Sequence, residues 1–268
     1  MGAGTETVGL GGWGQGWGRT MSGEGKAMAR GLVLAGMAAI LLVPAPARAR
    51  EPLALVSRMK AAYARVRDYT AIFKKRERVQ GVLLDEEVMQ LKFQKPFRVY
   101  LRWLDGSKKG REILYVEGEN ENSMLVHDSS GIQRLFTLLM DPRGKRALRE
   151  SRFPITDVGI GRLIDQIADG VTHASLRGEL QLIDHGGGEE GGRPVWRYEL
   201  IFPEDPAKGY FFPKLLFAID RELELPVRLV LHDGDGTVVG DYTYTKLHLN
   251  PGLAPLEFDS ANPAYRFP

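Results

Sequence analysis

The chain has 268 residues, with 36 Lys and Arg against 34 Asp and Glu, 43% hydrophobic residues and no cysteine. The absence of cysteine excludes disulfides, thiolate catalysis, cysteine-ligated metals and attachment as a lipobox lipoprotein. A formal net charge of +2 leaves no basis for nucleic acid, or for an anionic membrane, bound through overall charge.

Met1–Thr20 is Gly- and Trp-rich and nearly uncharged, so Met21 and Met28 are alternative starts. Lys26 and Arg30 then precede the apolar run Gly31–Val43, which ends in Pro44 and the small-residue exit Ala47-Arg48-Ala49. This is the layout of a secretory signal peptide. The run is shorter than the roughly 20 residues of a permanent span. Cleavage after Ala49 is therefore expected, leaving a periplasmic or secreted protein without a membrane span; an uncleaved anchor is the alternative. The leader holds Arg19, Lys26, Arg30 and Arg48 against Glu6 and Glu24, so the rest of the chain is formally neutral. Within that rest, Lys74-Lys75-Arg76 and Lys108-Lys109 read as solvated strand edges and turns. Residues 50–268 are enough for one core held without disulfides.

Leu53, Val56, Met59, Tyr63 and Val66 recur at spacings of three and four behind Pro52, which predicts an amphipathic helix ending near Asp68. From Tyr69 the period becomes two. Phe97, Val99, Leu101 and Trp103 share one strand face, and Trp196, Tyr198, Leu200 and Phe202 share another. Further strands are predicted over 71–79, 88–94, 113–117, 123–127, 180–184, 215–220, 227–232 and 238–247. Gly81, Asp105-Gly106, Gly118, Gly186-Gly187-Gly188 and Asp233-Gly234-Asp235-Gly236 are the turns between them. Residues 136–170 differ: Asp141-Pro142-Arg143-Gly144, a charged run to Arg152, then a helical face of Ile160, Leu163, Ile164 and Ile167. This insert is either a lid over the sheet or a packing helix that plugs a barrel mouth. About ten short strands joined by short turns predict a mainly β (α+β) domain, a curled antiparallel sheet or incomplete barrel with an N-terminal helix and a helical insert.

Catalytic and metal patterns are weak. Ser57-Arg58-Met59-Lys60 has the S-x-x-K spacing without its companion motifs. His127-Asp128-Ser129 are strand neighbours whose side chains alternate faces. Asp165, Asp169 and His173 have helical spacing, but Gly170 is expected to end the helix before His173. Asp233-x-Asp235-x-Thr237 has Val238 and Tyr244 where a calcium loop needs glycine and a bidentate acid. No cofactor or metal is expected. Arg146, Arg149 and Arg152, spaced by three, form the densest basic stripe, read as a solvated helix face or a contact for an acidic head group.

The segments DYTAIFKKRERVQG, LKFQKPFRVYLRW, KGREILYVEG, SRFPITDVGIGRLI and LPVRLVLHDGDGTVVGDYTYTKLHLNPGL resemble a bacterial family of exported proteins known as domain-of-unknown-function family 1571. The chain is also loosely similar to the LolA/LolB-like lipoprotein carriers. The likeness lies in a first helix followed by Tyr69-Thr70-Ala71-x-Phe73, and in a closing strand pair over 226–245 followed by Asn250-Pro251-Gly252-Leu253 and Phe258. That resemblance implies an incomplete antiparallel barrel with helices over its open apolar face and acyl chains held there.

The residues and the resemblance together give an expectation of one LolA-like domain over 50–268 that binds rather than catalyses. Its ligand would be a lipid or the acyl chain of a lipoprotein, lined by Phe97, Val99, Leu101, Trp103, Trp196, Tyr198, Leu200 and Phe202. An envelope protein-interaction module without a small ligand is the first rival, and an envelope hydrolase the second.

Overall fold

A computed structural model describes residues 52–210 and 212–268. The signal-peptide reading lies outside the described residues. The elements from Pro52 onward form one compact unit. Two helices, α1 (Pro52–Ala64) and α2 (Ile160–Arg177), accompany twelve strands. The strands are β1 (Asp68–Val79), β2 (Val82–Leu83), β3 (Glu87–Gln94), β4 (Arg98–Trp103), β5 (Glu112–Val116), β6 (Met124–His127), β7 (Leu138–Met140), β8 (Gln181–Glu190), β9 (Arg193–Ile201), β10 (Lys214–Asp220), β11 (Pro226–His232) and β12 (Val238–Leu249). Every pairing is antiparallel, in the order β7-β6-β5-β4-β3-β1-β12-β11-β10-β9-β8, with β2 paired to β1 off that path. β7 and β8 are unjoined ends, so the barrel is incomplete. The fold is mainly β, as the strand periodicity predicts.

The first and last strands of the domain meet at the centre, where β1 pairs β12 from Tyr69 opposite Leu249 to Glu77 opposite Gly240. Asp68, buried at the start of β1, fixes this closure. Its carboxylate accepts hydrogen bonds from the backbone N–H groups of Gly252 (3.2 Å) and Leu253 (2.8 Å). Asn250 reaches the other side of the same junction, accepting from Arg67 N (2.7 Å) and donating to Arg65 O (3.1 Å).

One hydrophobic core lies on the concave face and takes side chains from nearly every strand and from both helices. Tyr100, Leu114, Val116 and Phe258 form a separate cluster on the outer face, under the C-terminal segment with Tyr265 and Phe267.

α2 is the central packing element. Ile160, Leu163, Ile164, Ile167, Val171 and Ala174 are buried along it. The backbone N–H of Ile160 donates to the Tyr69 hydroxyl (3.0 Å) and that of Gly159 to the Tyr244 hydroxyl (3.1 Å). Groups that have no partner inside the helix are thereby satisfied by the sheet.

Two expectations need correction. Gly170 does not end α2, which runs on through His173 to Arg177, with Gly178 in the left-handed conformation as its cap. A Cβ at Gly170 would lie 3.0 Å from Phe202 Cζ, so this glycine admits the helix to the sheet. Gly186–Gly188 are not a turn either; they lie inside β8, opposite Arg197, Trp196 and Val195. The missing side chains at Gly187 and Gly188 leave room for the guanidinium groups of Arg221 and Arg197, and the hairpin turns at Gly191-Gly192.

Gly170→Val is expected to lower unfolding free energy by about 1–3 kcal/mol through overpacking against Phe202. Adding Phe202→Leu should recover part of that loss in denaturant titrations. An unchanged midpoint for Gly170→Val would refute the close approach.

Candidate functional site

The period-two alternation of β1 continues past its apolar part. Ala71 and Phe73 face inward, and so do Lys75 and Glu77, with side chains only 13% and 3% exposed. These two charges stand at the wall of a cavity of about 180 Å³ between the concave sheet and residues 138–158. Its floor is Phe73, Met89, Leu101, Met124 and Val126; its cover includes Leu138, Met140, Phe153, Ile155 and Leu163. The indole N–H of Trp103, also in this wall, has no hydrogen-bond partner among the described residues.

Glu77 ties the cover to the sheet. One carboxylate oxygen accepts from the Tyr242 hydroxyl (2.9 Å). The other lies 3.1 Å from Lys75 Nζ and 2.9 Å from Ser151 Oγ, and accepts from the backbone N–H of Arg152 at 3.0 Å. Burial first, and then the charge of Glu77, push the Tyr242 hydroxyl well above its ordinary value. It therefore stays a neutral donor.

A second tie crosses the rim. Glu150 in the insert pairs with Lys108 (3.0 Å) and Arg111 (2.7 Å), which lie in the β4–β5 turn. Lys108 also pairs with Glu87, Glu87 with Lys75 (3.3 Å), and Arg111 with Asp128. Burial pushes the Glu150 carboxyl up, but hydrogen bonds from Arg111 and Lys108 outweigh it and hold it at about 2. Burial pushes Lys75 down, and the facing Glu77 and Glu87 more than reverse this, so Lys75 is raised. Lys75 and Lys108 are thus parts of a partly buried ion network rather than the solvated positions that the sequence suggests.

The eight expected lining residues separate. Leu101 and Trp103 line the cavity. Phe97 is packed edge-on against Phe93 (5.3 Å) and Tyr115 (5.8 Å), and Val99 is fully buried. Tyr198 and Leu200 are buried in the half of the sheet beneath α2, beside Phe217, and Phe202 lies under Gly170 and stacks on Tyr210 at 5.2 Å. Trp196 is 42% exposed, with the Arg221 guanidinium 3.8 Å from its ring centroid.

The catalytic patterns disperse. Ser57 Oγ donates to Leu53 O (2.9 Å) on α1. His127 is buried beside Phe267 on the outer face, while Asp128 pairs with Arg111 and Ser129 Oγ donates to Lys109 O. No group of three or more His, Asp or Glu able to hold a metal occurs among the described residues. Arg146, Arg149 and Arg152 do not form one helix face, because Ala147–Arg149 is a single 3-10 turn. Arg146 lines the cavity, and Arg152 donates to Arg78 O (3.3 Å) and lies over the Phe212 ring at 5.5 Å. Sequence reasoning overlooked Glu77, Glu87, Tyr242 and Glu150. The available signal was the inward phase of Lys75 and Glu77 on β1.

Among solved structures, the chain is similar to a Pseudomonas aeruginosa MucA/MucB complex at 15% identity and a TM-score of 0.46, covering 78% of this chain and 60% of that one. It is similar to the Mycobacterium tuberculosis lipoprotein LppX at 13% identity and a TM-score of 0.45, covering 78% and 98%. With a LolA superfamily protein from Nitrosomonas europaea the identity is 12% and the TM-score 0.33, covering 78% and 97%. No curated protein matches the chain by sequence. The family described as "Protein of unknown function (DUF1571)" matches residues 66–267, nearly the whole of the described fold, and the chain belongs to that family.

Proposed function

We propose that this is an exported, non-catalytic binding protein that holds the acyl chain of a lipid or lipoprotein in the cavity beneath residues 138–158. The observation that carries this reading is a concave sheet face that is apolar at its floor, incompletely filled, and partly covered by a segment tied down through polar contacts. Ordinary packing fills such a space with side chains. Leu101 and Trp103 contact the chain, and the Trp103 indole N–H is the donor for an ester or amide carbonyl.

At about 180 Å³ the cavity, open at its rim, is smaller than typical ligand sites of roughly 300–1,000 Å³. A whole acyl chain therefore needs the cover to lift. Each methylene taken from water contributes about 0.8 kcal/mol, which makes such an exchange energetically reasonable.

Native mass spectrometry of the exported form, purified without detergent, is expected to show a stoichiometric acylated species. Met140→Asp, at the half-buried margin of the cavity, should abolish its uptake while leaving the circular dichroism spectrum intact. A clean apo mass with no uptake from envelope lipids would overturn the reading in favour of a protein-interaction module.

Glu150→Gln removes the rim tie without touching the floor. Partly exposed ion pairs are worth about 0–1 kcal/mol each. Stopped-flow uptake of a fluorescent fatty acid should therefore quicken by roughly two- to fivefold. With its folded-state pKa of about 2 against an ordinary 4.5, Glu150 keeps the tie at full strength above pH 4.5 and loses it as pH falls toward 2. Uptake rates should accordingly be flat from pH 8 to 5 and rise only below that. A rate change centred near neutrality would show that this tie does not limit opening.

A further inference from the structure

Large apolar side chains that remain exposed are mostly scattered singly over this protein, but four of them fall within eight residues. Ile132 is 74% exposed, Leu135 67%, Phe136 41% and Leu139 59%. They occupy the connection after β6 and the terminal strand β7. Leu138 and Met140, on the inward face of β7, line the cavity. The sheet thus ends in a strand that is apolar on both faces. Exposed apolar side chains clustered in this way mark an interaction surface.

The same stretch is locally basic in an otherwise neutral fold. Between residues 132 and 149 stand Arg134, Arg143, Lys145, Arg146 and Arg149, all exposed, against Asp141 alone. Arg143 pairs with Asp157 at 3.5 Å. Arg134, Lys145, Arg146 and Arg149 have no ion-pair partner among the described residues. Exposed apolar side chains flanked by unpaired cations are the combination that an anionic lipid surface selects.

We infer that residues 132–149 dock this protein on an anionic bilayer. Strand addition by a peptide fits less well, because β7 has only three residues and offers few free backbone groups. A second copy fits less well too, since a two-fold contact would set the same cations against one another. Gln133, Pro142 and Arg146 also line the cavity, so docking places its mouth at the membrane. The use of that placement rests on the acyl-binding reading; the docking itself does not.

The test is flotation of residues 50–268, which contain every described element and lack the apolar run 31–43. The vesicles are phosphatidylcholine alone, or phosphatidylcholine with an equal part of phosphatidylglycerol. The wild type should float only with the anionic vesicles, and progressively less as salt is raised. Ile132→Ser/Leu135→Ser and, separately, Arg134→Glu/Lys145→Glu/Arg149→Glu should each lose about tenfold or more in vesicle affinity. Their melting temperatures should be unchanged, because none of these side chains is buried. Absence of flotation by the wild type, equal flotation of all three proteins, or self-association that both variants abolish would overturn the inference. Acyl uptake measured in parallel without vesicles separates the two readings. Uptake without docking overturns docking alone, whereas docking without uptake upholds it and overturns the acyl-binding reading.

Discussion

Between β7 and α2 the cover over the concave face is largely irregular backbone, and irregular backbone cannot be buried without hydrogen-bond partners outside itself. The carboxylate of Glu77 supplies them. It is 3% exposed and carries the closing contacts of Ser151 and the N–H of Arg152. A buried carboxylate is costly unless it is paired and hydrogen-bonded. Here Lys75 and Tyr242 meet that need from the sheet side. These contacts, together with the pairs of Glu150 with Lys108 and Arg111 at the rim, hold the insert over this half of the sheet.

The two halves of the concave face are filled differently, and α2 decides which is which. Its first N–H groups hang from the hydroxyls of Tyr69 and Tyr244, so the start of the helix is fixed above the central strands β1 and β12. From there its apolar face runs over the half built by β9–β12, where Tyr198, Leu200, Phe217 and Leu229 are buried. The half built by β3–β6 receives residues 138–158 instead. A regular helix packs its apolar stripe closely against a sheet. Short 3-10 turns and a charged loop do not fill space as well, and the void lies under them.

Much of the fold was legible because strands with one buried face alternate. The rows at 97–103 and 196–202 lie on strands, the turns at Gly81 and Asp105-Gly106 lie between them, and the helical face of 160–167 is buried as its spacing requires. Glycine was the main source of error. Gly170 and Gly186–Gly188 were legible as interruptions, yet they are absences of side chain that let Phe202, Arg221 and Arg197 approach. That information resides in the partner and not in the local pattern. The site was less legible than the fold. Alternation puts Phe97 and Leu101 on one face alike, and only the position of α2 and the insert decides that Leu101 meets a cavity while Phe97 meets Phe93 and Tyr115. Lys75 looked solvated because a charge cluster usually is, although its phase with Phe73 already pointed inward.

The arrangement of partners around Glu77 also bears on whether the cover can lift. In opening, Glu77 gives up the contacts from Ser151 and the Arg152 N–H, which travel with the insert, and keeps those of Lys75 and Tyr242, which belong to the sheet. The charge is therefore compensated in both states, and opening avoids the 3–5 kcal/mol penalty of an orphaned buried ion. At Glu77 two hydrogen bonds to a charged group are lost, about 1.5–3 kcal/mol each, and at the rim the pairs of Glu150 with Lys108 and Arg111, about 0–1 kcal/mol each. A cover held only by apolar packing would have no such defined cost, and one whose ties all lay on the moving segment would strand a bare carboxylate at the mouth of an apolar cavity. Dividing the ties between sheet and insert leaves the Glu77 charge paired whether or not the insert stays down.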